Sequence, residues 1–179
     1  MSEPIYLRPL EISDLDQCHK WHNDRSLYDM LVGPFHFVSK QAEQAWLDRR
    51  IASSSNEVNL AICIKESDKH IGNIYLREID WISRHAQLEI FIGESGERSK
   101  GYGESAIRQL LHYAFSDLGL KRIYLHVLAD NKTAIRVYEK KGFNFEGTLK
   151  NHVFKQGCWK DLIVMGLCVD DQTDDKDGR

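Results

Sequence analysis

A chain of 179 residues, 42% hydrophobic and 28% charged, has the size and balance of one globular domain, which excludes fibrous and low-complexity classes. Its net charge of −3 is carried by the last ten residues, where five Asp stand against one Lys and one Arg, so residues 1–169 hold 22 basic and 22 acidic side chains. That neutral body argues against a general nucleic-acid binder, and no apolar run reaches the roughly eighteen residues that a membrane helix needs.

The run Met1–Pro9 lacks the basic and apolar regions of a secretory signal. Four scattered cysteines (Cys18, Cys63, Cys158, Cys168) form no C-x-x-C pair. Both features predict a cytoplasmic protein with reduced thiols. The composition divides the chain into one domain over residues 1–169 and a disordered acidic tail over 170–179.

Ile5–Leu10 predicts a short strand. Ser13 reads as the N-cap of a helix carrying Leu15, Cys18, Trp21 and His22 at helical spacing. Residues 24–38 are aromatic-rich without a clean period, and Ser39 caps a second helix reaching about Ser53. The period then changes to two. Val58–Ile64, His70–Ile79 and Ala86–Ile92 predict an antiparallel meander. A 3.6-residue pattern follows from about Gly101 to Leu118 and is closed by Gly119. Arg122–Leu128 is a strand, and the helix 132–141 ends at Gly142. Phe143–Phe154 and Trp159–Val169 form a last hairpin around Lys155-Gln-Gly157. The order β α α β β β α β α β β, with one β-α-β crossover, predicts a mixed α/β fold rather than a doubly wound parallel one.

Two motifs carry the chemistry. Arg98-Ser99-Lys100-Gly101-Tyr102-Gly103 opens a helix, and a basic glycine-containing loop at a helix start offers amides and a positive dipole end to a phosphate. It also fits the dinucleotide fingerprint with Ala106, but too many residues separate it from the preceding strand, and repeated β-α-β units are missing. Asn131-x-x-Ala134-x-x-x-Tyr138 sets a polar cap, a small residue and a phenol along one helix, with Ala134 and Tyr138 on one face. Together they predict a nucleotide-bearing cofactor with proton chemistry at its far end. His19 and His22 stand without a carboxylate cluster, so no metal site is expected.

The two motifs, followed by Gly142-Phe143 and preceded by Ala86–Ile92, resemble the GNAT superfamily of acyl-CoA-dependent N-acetyltransferases over residues 4–167. The C-terminal segment Glu146-Gly147 through Lys155-Gln-Gly157-Cys-Trp159-Lys-Asp161 is similar to the RimJ/RimL-like branch, which also includes spermidine acetyltransferases. Trp21-His-Asn23-Asp is similar to nucleotide-aminosugar acetyltransferases of that branch. The resemblance implies a GNAT-type fold: a mostly antiparallel twisted sheet of about seven strands, one parallel pair splayed for CoA, and about four helices. It implies acetyl-CoA as co-substrate and no metal. The amides of Arg98, Ser99, Lys100, Gly101, Tyr102 and Gly103 would bind the pyrophosphate. Phe91 and Ile92 would bond pantetheine as a pseudo-strand, with Asn131 on the arm, Ala134 beside it and Tyr138 at the thioester sulfur.

The implied reaction is direct attack of a neutral amine on the thioester. An alkylammonium of pKa about 10 must first lose a proton. Tyr138 is the candidate general acid for the departing thiolate, and a strand amide is the candidate oxyanion donor. Glu89 shares a face with Gln87 and Phe91. It is either a base buried beside Phe91 or a carboxylate paired to a neighbouring cation or facing solvent, in which case a water chain could replace it. Glu78 and His126 are further candidates. Arg25, Tyr28, His36, Phe37, Trp81 and Trp159 are candidate acceptor-pocket residues. The acceptor is expected to be a small polar amine or a protein N-terminus, with polyamines and aminosugar nucleotides as alternatives. A polyamine site should gather acidic side chains. A regulatory acyl-CoA-binding module without turnover is the competing class. The exposed C-terminal hairpin admits a homodimer.

Overall fold

The period-two segment at residues 58–92 forms three antiparallel strands, and the apolar face of the helix after the glycine loop packs on them. The computed structural model describes residues 3–52 and 55–169. The strands are β1 (Ile5–Pro9), β2 (Val58–Ile64), β3 (His70–Asp80), β4 (His85–Ile92), β5 (Arg122–Leu128), β6 (Asn144–Lys155) and β7 (Cys158–Cys168). They make one seven-stranded sheet in the order β1-β2-β3-β4-β5-β7-β6. Among the described residues only β4 and β5 pair in parallel. The expected mixed α/β architecture is the observed one. The tail at 170–179 and the expected helix end at Ser53 lie outside the described residues.

The helices are α1 (Leu15–His22), α2 (Arg25–Tyr28), α3 (Lys40–Ile51), α4 (Tyr102–His112) and α5 (Lys132–Lys140). That is five rather than about four. The addition is α2, a single turn inside the segment expected to be irregular. It forms because Asp24 caps it, its Oδ1 accepting the Ser26 and Leu27 amides at 2.9 and 3.3 Å. Ser39 caps α3 as expected, its Oγ accepting the Ala42 amide at 3.1 Å. Ser13 does not cap α1. A 3-10 turn, Ile12–Asp14, intervenes, and the Asp14 carboxylate accepts the Glu11 amide at 2.9 Å. The helix predicted to Leu118 is α4 followed by a π-turn, Tyr113–Asp117, before Gly119 at φ 64°.

The sheet divides the apolar residues between its two faces. Ala106, Ile107, Leu110 and Ala114 of α4 and its extension, with Tyr138 of α5, pack on Ile62, Ile74, Leu76, Leu88, Ile123 and Leu125. On the other face Cys18 of α1 and Leu47 of α3 cover Ala61, Cys63 and Tyr75, with Phe91 at the border. Two of the four cysteines, Cys18 and Cys63, are thus core residues, and Cys158 and Cys168 are exposed thiols. The β6–β7 hairpin closes through Gln156 and Gly157 at φ 51° and 77°, a two-residue turn of the type that matches strand twist.

Candidate active site

The parallel pair holds for only three residues. His85, Ala86 and Gln87 pair with Arg122, Ile123 and Tyr124, and there the pairing stops. β4 continues on β3 as far as Ile92, and β5 continues on β7 as far as Leu128. A gap opens between them with its closed end at Gln87–Tyr124. Gly93 donates its amide to Ile71 O at 2.8 Å, which sets the alternation of the ladder. Phe91 therefore bonds toward β3, and Ile90 and Ile92 turn their backbone toward the gap. Of the two residues expected to meet a pantetheine arm, Ile92 turns its backbone to the gap. Phe91 instead lays its ring edge-on against Trp21 at 5.7 Å.

The glycine loop lies just beyond the open end. Ser99 and Gly101 are left-handed, at φ 61° and 83°. Glycine takes that conformation at Gly101 without strain. Gly101 also N-caps α4 with no side-chain acceptor. Among the described residues no acceptor meets the amides of Ser99, Lys100, Gly101, Tyr102, Gly103 and Glu104, and the first engaged amide is Ser105, on Gly101 O at 3.1 Å. Six unsatisfied amides at a helix start form an anion cradle. The loop's two cations are not part of it. Arg98 turns inward, Nε to Ile92 O at 2.9 Å and Nη2 to Gly93 O at 3.0 Å. Lys100 pairs with Glu97 at 2.8 Å. What the loop offers an anion is therefore its backbone, and Arg98 fixes the loop to the end of β4.

α5 enters from the β5 side. Asn131 is its N-cap: Oδ1 accepts the Ala134 amide at 3.2 Å, and Nδ2 donates to Met30 O at 3.2 Å. Tyr138 lies one turn beyond Ala134, buried, its ring edge-on to Phe143 at 5.9 Å. Burial pushes its pKa up to about 12, so the phenol keeps its proton at neutral pH.

The opposite face of the sheet carries the remaining candidates. Glu89 is not buried beside Phe91; its carboxylate is 49% exposed and pairs with Arg77 Nε at 3.4 Å. Arg77 stands on β3 opposite Gln87, over the Tyr75 ring at 4.0 Å. Glu78 and His126 join Glu89 here. Tyr124 OH donates to Glu78 Oε2 at 3.0 Å, and the Tyr124 and His126 rings lie 5.9 Å apart. Burial, and then His152, hold the His126 imidazole below its usual pKa, against Glu78 and Glu89.

Residues 24–38 cross this face as a strap. Of the pocket residues expected from sequence, Arg25 and Tyr28 meet through Phe35, at 5.5 and 5.9 Å, and Phe37 joins Phe35 at 5.1 Å. His36 is exposed. Trp81 is elsewhere, donating to Ser55 O at 2.7 Å, and Trp159 lies against Phe154 at 5.4 Å. Two features had no sequence signal. Lys155, at the hairpin end, is 9% exposed and donates to Tyr28 O and Gly33 O, both at 2.7 Å. His22 Nδ1 meets the fully buried Glu43 at 2.7 Å beneath Tyr28 and Trp46. His19 bonds Val38 O. Among the described residues no group of three or more His, Cys, Asp or Glu is arranged to hold a metal, and no helix is long and apolar enough to cross a membrane.

A splayed parallel pair, an amide cradle at the next helix start and a buried phenol on the following helix define an acyl-CoA-type transferase site. The chain belongs to the acetyltransferase (GNAT) domain family, whose model matches residues 5–144. It is an N-acetyltransferase. It is 30% identical over 166 residues to a spermidine N(1)-acetyltransferase of Vibrio cholerae, covering 92% of this chain and 93% of that one. A structure of the Vibrio cholerae spermidine N-acetyltransferase in complex with CoA and spermine superposes with a TM-score of 0.86 at 29% identity, covering 93% and 96% of the two chains. A dodecameric structure of that enzyme gives a TM-score of 0.79 at 28% identity, covering 93% and 95%.

Proposed function

We propose that this protein moves the acetyl group of acetyl-CoA to a primary amine of a small cationic acceptor of the polyamine class. The observation that carries this is the pairing of one gap with two unlike ends. Six open amides stand at its mouth. The carboxylates of Glu78 and Glu89 stand on the sheet face at its closed end. The amides suit the pyrophosphate of CoA, with Ile90 and Ile92 bonding the pantetheine arm and Asn131 and Ala134 flanking it. Tyr138 supplies the proton to the departing sulfur. Glu89, exposed beside Arg77, suits the distal ammonium of a long amine better than the deprotonation expected of a buried base. The relatives that act on spermidine support the same acceptor class.

Within the family we place the chain in the RimJ/RimL-like branch, taken with its spermidine members, on the strength of its C-terminal hairpin motif. We read it as a cytoplasmic protein of one domain over residues 1–169. It would self-associate through the outer hairpin, where Phe145, Phe154 and Trp159 are 63%, 58% and 61% exposed. The test is thiol release from acetyl-CoA against spermidine, spermine, N-terminal peptides, amino acids and aminosugar nucleotides, beside calorimetric titration of acetyl-CoA. Turnover confined to polyamines supports the proposal. Turnover with peptides or sugar nucleotides alone overturns the acceptor class, and acetyl-CoA binding without turnover supports the regulatory module instead.

A further inference from the structure

β3 does not run straight into its turn. Its register against β4 shifts between Arg77 and Asp80, and Glu78, inside that shift, takes a left-handed backbone at φ 50°. A bulge re-aims the side chain it carries, and a glutamate is held at positive φ only where its surroundings impose it. The Glu78 side chain leaves its own strand, passes over β4 and accepts the Tyr124 hydroxyl of β5 at 3.0 Å. Tyr124 belongs to the last parallel pair, Gln87–Tyr124. The carboxylate therefore stands over the closed end of the gap. It lies on the face away from α4, because Ile123 and Leu125, the neighbours of Tyr124, point into the α4 core. One hydroxyl occupies one of its lone-pair sites, and the residue is otherwise exposed to the acceptor face.

We propose that Glu78, not Glu89, is the general base of the transfer; this rests on the acceptor reading above. With phosphates in the cradle at the open end, the thioester lies at the far end of the arm, toward Gln87–Tyr124. An amine arriving over the sheet face meets Glu78 there. The acceptor ammonium first gives one proton to water. As its nitrogen bonds the thioester carbon, the N–H proton passes to a Glu78 oxygen. The carbon–sulfur bond then breaks and the sulfur takes the Tyr138 proton. Glu78 returns its proton to water and Tyr138 regains one, so the products are one amide and one thiol. Arg77 pairs with Glu89 at 3.4 Å, whereas the partner of Glu78 is the Tyr124 hydroxyl.

The left-handed backbone supplies a clean test, because Glu78→Gly removes the carboxylate and suits φ 50°. The expected result with spermidine is a fall in kcat of about a hundredfold or more, acetyl-CoA affinity within about twofold, and partial rescue by added formate, a small diffusible carboxylate. Glu89→Gln should instead raise the acceptor KM at nearly unchanged kcat. A Glu78→Gly enzyme with kcat within about threefold of wild type, or one whose loss formate does not restore, overturns the assignment while leaving the acetyltransferase intact. Wild-type protein that binds acetyl-CoA yet acetylates no polyamine overturns the acceptor reading and this assignment with it.

Discussion

Lys155→Met is the most informative substitution on the acceptor side. Methionine keeps the aliphatic stem and removes the ammonium that holds two carbonyls of the strap, Tyr28 O and Gly33 O, each at 2.7 Å. A hydrogen bond to a charged donor is worth about 1.5–3 kcal/mol. Two are lost, but Gly33 is exposed and its carbonyl regains water, while the cost of burying the ammonium disappears. Burial depresses the Lys155 pKa, against Asp29, in keeping with that cost. The net loss should be about 2 kcal/mol, a roughly thirtyfold shift toward an open strap. Hydrogen exchange at the amides of 25–38 should accelerate by about that factor. The acceptor kcat/KM should fall about ten- to thirtyfold, with acetyl-CoA affinity within about twofold. Unchanged exchange across 25–38, or equal losses toward both substrates, would refute the view that Lys155 acts through the strap.

Three further outcomes follow from other parts of the structure. Gly93→Ala would place a Cβ 2.3 Å from Trp21 Cδ2 and Cε2, and that ring is 1% exposed and wedged against His70 at 4.8 Å. It should cost about 3 kcal/mol and lower Tm by about 6–12 °C; a scan within about 2 °C of wild type would show that Trp21 can move. Tyr138→Phe should lower kcat by about a hundredfold with little change in acetyl-CoA affinity or Tm, and kcat within about threefold would remove Tyr138 from the proton path. Asp14→Asn addresses acid stability. Burial pushes the Asp14 carboxyl up, but Arg8 at 2.7 Å and His70 at 3.1 Å prevail and hold it well below the usual range. A depressed folded pKa gives stability that is present above about pH 4 and lost as pH falls further. Urea unfolding should show the variant about 3 kcal/mol weaker at pH 7 and flatter below pH 4, and parallel pH curves would contradict this.

Much of the fold was legible because its signals are local. Ser39, Gly119 and Gly142 punctuate helices where a cap or a left-handed residue is required, and the period-two runs gave β2, β3 and β4 nearly to the residue. The open amides of the glycine loop were legible, while the fate of its cations was not, since Arg98 bonds a strand end six residues back. The environment of Glu89 stayed open between burial and pairing for a related reason. Alternation tells which face a residue takes, but Arg77 reaches Glu89 through the β3–β4 register, which no window of sequence contains. Lys155 and Tyr28 are 127 residues apart and carry no pattern that links them. The single turn α2 was too short for a period to reveal, although Asp24 was a readable cap.

Asn131 joins two parts of the molecule with one amide. Its oxygen is committed to the start of α5, and its nitrogen holds Met30 O in the strap. That nitrogen carries a second N–H, and a pantetheine arm that recruits it would fix the same amide that holds Met30. Filling the cofactor site would then steady the segment that frames the acceptor, and an acceptor that steadies the segment would strengthen cofactor binding by the same factor, because thermodynamic coupling between two sites is reciprocal. One side chain of four heavy atoms can thus make the two substrates positively cooperative, and the sign would be visible in a pair of titrations, each run with the other ligand present and absent.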